Sequence, residues 1–89
     1  MNIFEDLIKL ARDRKDQPLE GSYTNKLLND KSLSKAKVLE EINELIEAVE
    51  KDTNKIHEAA DVFYHLIVYL EANGVKIEDI MEELNKRKK

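Results

Sequence analysis

Glu41 with Glu44 and Glu58 with Asp61 form two pairs of acidic residues, each pair three positions apart. Residues i and i+3 share one face of an α-helix, so each pair can close on a cation from one side. Two such helices lying side by side would turn four carboxylates toward one point. Hard oxygen ligands of this kind suit Mg²⁺ or Mn²⁺, and Mg²⁺ takes phosphate oxygens and water alongside a few carboxylates. A cation held there would grip the inner oxygens of a triphosphate and lower the pKa of a bound water for in-line attack.

The elements that carry these pairs must bring them to the edge of a core. At about 100° per residue, Glu41 and Glu44 border an apolar arc made by Val38, Leu39, Ile42, Leu45, Ile46 and Val49, whereas Glu40 and Glu47 point away from it. Glu58 and Asp61 sit likewise beside His65, Tyr69 and Val62. Both pairs therefore fall at the rim of the expected buried surface. Two carboxylates about 5 Å apart at an effective dielectric of about 20 repel by roughly 3 kcal/mol, so four of them near a core must take up protons or a cation. The bland alternative is solvated surface, the usual fate of paired acids on amphipathic helices.

Neighbouring residues leave similar alternatives open. His65 shares the Glu58 and Asp61 strip and could orient a carboxylate or touch a phosphate, or be an internally satisfied, half-buried histidine. Lys37, on the Glu41 strip, could reach a phosphate or neutralise its acidic neighbours. His57 projects elsewhere and reads as surface.

Eighty-nine residues, 42% hydrophobic and 38% charged, describe one small soluble domain over residues 1–89. A domain of this size is only marginally stable alone, and without cysteine no disulfide can staple it. Oligomerisation is the expected remedy. The absence of cysteine also excludes thiolate catalysis and a Cys-based zinc site and fits a reducing cytoplasm, the expected location. Residues 1–10 interrupt their apolar positions with Glu5, Asp6 and Lys9, unlike a signal peptide. The most apolar stretch, from Val62 to Leu70, contains His65 and is too short to span a bilayer. A formal charge of −4 disfavours non-specific binding to nucleic acid. The basic tail from Lys86 to Lys89 reads as cations favourable at a helix C-terminus.

Two glycines, one proline and little β-branched alternation point to an all-α chain of four to five helices. The first helix runs from about Asn2 to Lys15, buries Ile3, Phe4, Leu7, Ile8 and Ala11, and has Asn2 as a cap. Pro18 and Gly21 break the chain before a short helix from Tyr23 to about Asn29, capped by Ser22. A polar segment from Asp30 to Ser34 leads into the third helix, about Lys35 to Lys51, with Ser34 as its cap. A turn at Asp52, Thr53 and Asn54 precedes the fourth, Lys55 to about Asn73, with Gly74 just beyond its end. The fourth helix is apolar nearly all round, which points to a subunit contact. A last helix from about Ile77 to Lys86 packs back through Ile77, Ile80, Met81 and Leu84. The short turn makes the third and fourth helices antiparallel neighbours, with the two acidic pairs at comparable depth.

The run Glu40-Glu41-Ile42-Asn43-Glu44 followed by Glu58-Ala59-Ala60-Asp61 resembles the EExxE and ExxD signature of the MazG-like all-α nucleotide pyrophosphohydrolases. Three further features narrow the resemblance: Gly21-Ser22-Tyr23-Thr24 ahead of Leu27-Leu28, the Lys37-Val38-x-Glu40-Glu41 entry, and Glu58 through Val68. With these the chain looks like the phosphoribosyl-ATP pyrophosphatase family, over about Gly21 to Leu84. The resemblance implies a MazG-like bundle completed by homodimerisation. It also implies Mg²⁺-dependent hydrolysis of phosphoribosyl-ATP to phosphoribosyl-AMP and pyrophosphate, the second step of histidine biosynthesis. Its metal would be held by Glu41, Glu44, Glu58 and Asp61, with Glu41, Glu44 and Glu40 as the catalytic acids, Glu40 in an outer-shell or second-metal role. Ser22, Tyr23 and Thr24 would meet a phosphate at a helix start, with Lys37 and His65 completing the nucleotide site.

One departure concerns Leu39 and Ile42, where family members commonly carry glycine and a small residue. The projection places both on the buried side, as interface repacking or as the mark of a different nucleotide. The chain has no room for a phosphoribosyl-AMP cyclohydrolase domain and would be the stand-alone form. Two other readings remain: a MazG-like hydrolase of other nucleoside triphosphates, and a non-catalytic helical oligomerisation module.

Overall fold

The computed structural model describes residues 2–88. Met1 and Lys89, the ends of the acid-interrupted opening stretch and of the basic tail, lie outside them. Five α-helices and no strand make up the described residues: α1 (Ile3–Asp16), α2 (Tyr23–Asn29), α3 (Lys31–Lys51), α4 (Lys55–Ala72) and α5 (Ile77–Arg87). The all-α expectation holds. No helix of the described residues is long and apolar enough to cross a membrane.

Caps set most of the boundaries. The Asn2 side chain accepts from the Phe4 N–H at 2.8 Å, and Ser22 accepts from the Asn25 N–H at 3.3 Å, each satisfying a donor that the helix itself leaves free. The third helix departs from expectation. It starts at Lys31, not Lys35, because Asp30 accepts from the Leu33 N–H at 2.9 Å and caps it one turn early. The added turn lets Leu33 pack on the core. Ser34 is thereby moved inside the helix, where it is 1% exposed.

Asp52 and Asn54 take left-handed backbone with φ of 56° and 36°, which Asp and Asn tolerate better than other side-chain-bearing residues. They fold α4 back antiparallel onto α3. Gly74, at φ 70°, follows the end of α4 where a left-handed residue is needed.

α4 is the central rod and touches all four other helices. Leu27 and Leu28 of α2 meet Val68 of α4, with Leu33, Tyr64 and Ala72 around them. This core is smaller than the sequence pattern implies. Of the α1 stripe only Ala11 is buried, while Ile3 is 72% exposed and Phe4 rests edge-on against Phe63. Met81 and Leu84 of α5 are also exposed, so of the expected stripe only Ile77 and Ile80, both half-buried, pack back. Charge tethers it further: Arg12 grips Glu78 through both terminal nitrogens and reaches Glu71 with Nε at 3.1 Å.

Leu39, Ile42, Ile46 and Val49 are a further correction. The projection buries them, yet all four are exposed. Their 3-4-3 spacing is that of a coiled-coil seam, and Ile56 and Phe63 of α4 are exposed as well. Helical periodicity shows which face is apolar, not whether the same chain covers it. Within the stretch from Val62 to Leu70, by contrast, His65, Ile67 and Val68 are buried by the single chain and only Phe63 is exposed.

Candidate metal centre

The α3–α4 hairpin brings carboxylate oxygens of Glu41, Glu44 and Glu58 within 4.8 Å of one another. Asp61 does not join that trio. It lies one turn further along α4, in a second set with Glu58 and His57, so Glu58 links the two. His57 is exposed, as expected, but its Nε2 reaches Asp61 Oδ2 at 3.4 Å. The i,i+4 spacing was the available signal for that contact.

Electrostatics at the trio are unfavourable without a cation. Burial first, and the charge of Glu44 second, hold the Glu41 carboxyl above its ordinary range. The same two causes in the same order raise Glu58. Glu41 Oε2 and Glu58 Oε2 are buried and have no hydrogen-bond partner. Buried carboxylate oxygens are normally bonded, so two orphans on residues of one acidic cluster fit a divalent ion held by hard oxygen ligands.

The residues expected around the metal are brought near in varying degree. Lys37 bonds Glu40 at 3.0 Å in a half-exposed pair on α3. Of the three hydroxyls at the start of α2, Ser22 caps the helix, Thr24 meets the Tyr64 hydroxyl at 2.5 Å, and Tyr23 meets His65 Nε2 at 2.9 Å. His65 is 7% exposed, with Nδ1 2.8 Å from the Asp61 carbonyl oxygen. All three hydroxyls are thus engaged within the fold. Asn25, which sequence reasoning passed over, pins the loop before α2 by accepting from the Leu19 N–H and donating to the Arg14 carbonyl, both at 2.7 Å.

The hollow next to the trio, lined by residues including Glu44, Lys51 and Glu58, encloses about 180 Å³. Sites for small organic ligands typically occupy roughly 300–1,000 Å³, so this hollow alone falls below the size of a nucleotide site.

Residues 4–88 match the phosphoribosyl-ATP pyrophosphohydrolase family. This chain belongs to that family. It is 45% identical over 94 residues to the phosphoribosyl-ATP pyrophosphatase of Clostridium novyi, covering 100% of this chain and 84% of that protein. The Clostridium acetobutylicum protein of the same name is 47% identical over 90 residues, 96% of this chain and 80% of the relative. A histidine biosynthesis trifunctional protein of Kluyveromyces lactis is 47% identical over 79 residues, 89% of this chain but 10% of that much longer protein. The pyrophosphohydrolase family is a family of hydrolases, and the acidic cluster on α3 and α4 lies within the matched span.

Proposed function

We propose that this chain hydrolyses phosphoribosyl-ATP to phosphoribosyl-AMP and pyrophosphate, the second step of histidine biosynthesis, and does so with Mg²⁺. Family membership supports the substrate. The convergence of Glu41, Glu44 and Glu58, two of them with orphaned buried oxygens, supports the metal and is the observation that carries the reading.

Glu41, Glu44 and Glu58 would hold the ion, with Asp61 joining through Glu58 and His57 steadying Asp61. When bound, the ion supplies charge to neutralise the polyphosphate and to acidify water. The chain's own part is to pre-arrange the acids: α3 and α4 fix their backbones, so little reorganisation is left for the moment of reaction. Lys37, paired with Glu40 at the surface, is available to an arriving phosphate oxygen. In this reading Glu40 holds Lys37 rather than the ion. The enzyme would work in the cytoplasm.

Two copies would pair through Leu39, Ile42, Ile46 and Val49 with Ile56 and Phe63, making an α3–α4 four-helix arrangement and enlarging the small hollow by the mouth of the site. Leu39 and Ile42, the departures from the family pattern, would then be interface residues rather than marks of another nucleotide.

The deciding assay is pyrophosphate release from phosphoribosyl-ATP in Mg²⁺, run beside a panel of ordinary nucleoside triphosphates. Turnover of phosphoribosyl-ATP well above the panel is expected; preference for a panel member would assign the chain to the house-cleaning branch of the superfamily.

A further inference from the structure

Lys37, Glu41, Glu44, Ala48 and Lys51 follow one another along α3 at steps of four, three, four and three residues, which places all five on one strip of the helix. An ammonium group stands at each end of the strip, with two acids of the metal centre between them. Lys51 is at the end next to the α3–α4 turn, seven residues or about 10 Å along the axis from Glu44. Its Nζ bonds Glu47 Oε1 at 2.6 Å, and both side chains are largely exposed. An exposed pair of this kind holds its partners weakly, so the ammonium can turn to a more highly charged anion at little cost.

The hollow of about 180 Å³ that Glu44 and Glu58 border is also lined by Lys51, the one cationic residue among those described around it. Thr53 and Asn54 complete its wall and bring the start of α4 to it. The Asn54 side chain makes no capping bond, which leaves the first N–H groups of this 18-residue helix without a side-chain acceptor. Metal-centre acids, an ammonium group and an uncapped helix start therefore surround a space whose size suits linked phosphate groups rather than a nucleoside. The opposite end of the strip differs. Asp30 joins α2 directly to α3, so α2 stands at the Lys37 end. There the hydroxyls of Ser22, Tyr23 and Thr24 are engaged within the fold, and the Tyr23 ring is 45% exposed. An aromatic face suits a base or sugar better than a phosphate.

We propose that Lys51 binds the pyrophosphate end of the substrate, with the two outer phosphates in the hollow at the α3–α4 turn and the nucleoside running toward α2. The inference rests on the proposed phosphoribosyl-ATP reading and adds to it the direction in which the substrate lies along α3. Ser22, Tyr23 and Thr24 then face the nucleoside end instead of the phosphates.

The test is titration calorimetry of inorganic pyrophosphate and of phosphoribosyl-AMP at fixed free Mg²⁺, with the wild-type chain, Lys51→Met, Lys51→Arg and Lys55→Met, beside kcat/KM for phosphoribosyl-ATP. Lys51→Met should weaken pyrophosphate binding roughly tenfold, as for one exposed charge-assisted hydrogen bond. It should lower kcat/KM by a similar factor and leave phosphoribosyl-AMP binding unchanged. Lys51→Arg keeps the charge and should retain most of both. Lys55→Met removes the same charge from a residue outside the lining of the hollow and should bind pyrophosphate like the wild type. Lys51 is largely exposed and methionine is a good helix former, so the decisive variant keeps its fold. Unaltered pyrophosphate affinity in Lys51→Met, an equal loss in Lys55→Met, a loss that falls on phosphoribosyl-AMP instead, or a wild type that binds no pyrophosphate overturns the assignment. Turnover of phosphoribosyl-ATP together with any of these defeats this inference alone. Pyrophosphate binding that depends on Lys51, without turnover of phosphoribosyl-ATP, defeats the proposed substrate and leaves the subsite standing.

Discussion

Replacing Glu44 by glutamine should stabilise the metal-free protein. Glu44 has a carboxylate oxygen within 4.8 Å of one on Glu41, and two unit charges at that distance repel by about 3.5 kcal/mol at an effective dielectric of 20, or about 1 kcal/mol in bulk water. Glu41 is 9% exposed while Glu44 faces solvent, which puts the pair between these limits. Glu44→Gln preserves shape and removes the charge, so a gain of about 1–3 kcal/mol is expected. For a chain of this size that is roughly 4–24 °C in Tm.

Mg²⁺ should erase the advantage. At about 100 times its Kd a bound ion stabilises the wild type by about 2.7 kcal/mol, and the variant, short of one ligand, gains less. Thermal melts of both proteins at one fixed chain concentration, in EDTA and in Mg²⁺, read the four states directly. A variant less stable than the wild type in EDTA would refute the repulsion argument. Equal upward shifts of both curves with Mg²⁺ would remove Glu44 from the ion, and no shift in either would favour a purely structural helical module.

Other perturbations probe separate parts of the account. Asp61→Asn or Glu41→Gln should leave the helical circular dichroism intact and cut pyrophosphate release at least about 100-fold, equivalent to losing roughly 3 kcal/mol of charge stabilisation; near wild-type rates in either would count against the site. Because Glu41 and Glu58 are raised in the folded chain, their contribution is fully present below the ordinary carboxylate pKa and is lost as pH rises through the folded values. Glu78 acts in the opposite sense: Arg12 pulls it down to about 2, so its contribution is lost as pH falls from 4.5 toward that value. Metal-free Tm should therefore rise on acidification toward the ordinary carboxylate pKa and fall below it, and Mg²⁺ should flatten the upper limb. Arg12→Met should cost about 2 kcal/mol in chemical denaturation, less than a fully buried pair because Arg12 is 36% exposed while Glu71 is left 8% exposed without a partner. Ile46→Lys should shift the sedimentation mass toward a single chain, and an unchanged mass would reject the α3 seam as the contact.

The helices and the acidic pairs were legible because both are local. Scarce glycine and proline, caps at Asn2 and Ser22, and the i,i+3 spacing of Glu41 with Glu44 act within one or two turns. The start of α3 was misread for a local reason too: Asp30 and Ser34 are both good caps, and the choice fell to Leu33, whose burial depends on α2 and α4. Long-range partnerships left no trace in the pattern. Arg12 lies 59 residues from Glu71 and 66 from Glu78, and Tyr23 lies 42 from His65. Each is a pairing of common residue types with no spacing rule to reveal it. Burial was the other blind spot, since Leu39 and Ile46 look like core residues to any projection until a neighbour is found missing. Asp61 sits outside the Glu41, Glu44 and Glu58 trio, yet its charge acts on both Glu41 and Glu58.

The central claim, one divalent ion shared between α3 and α4, is tested most directly by crystals grown in Mn²⁺ and measured at the manganese absorption edge. The account predicts an anomalous peak about 2.2 Å from carboxylate oxygens of Glu41, Glu44 and Glu58. A map with no peak among those three side chains, at a Mn²⁺ concentration that supports turnover, would contradict it.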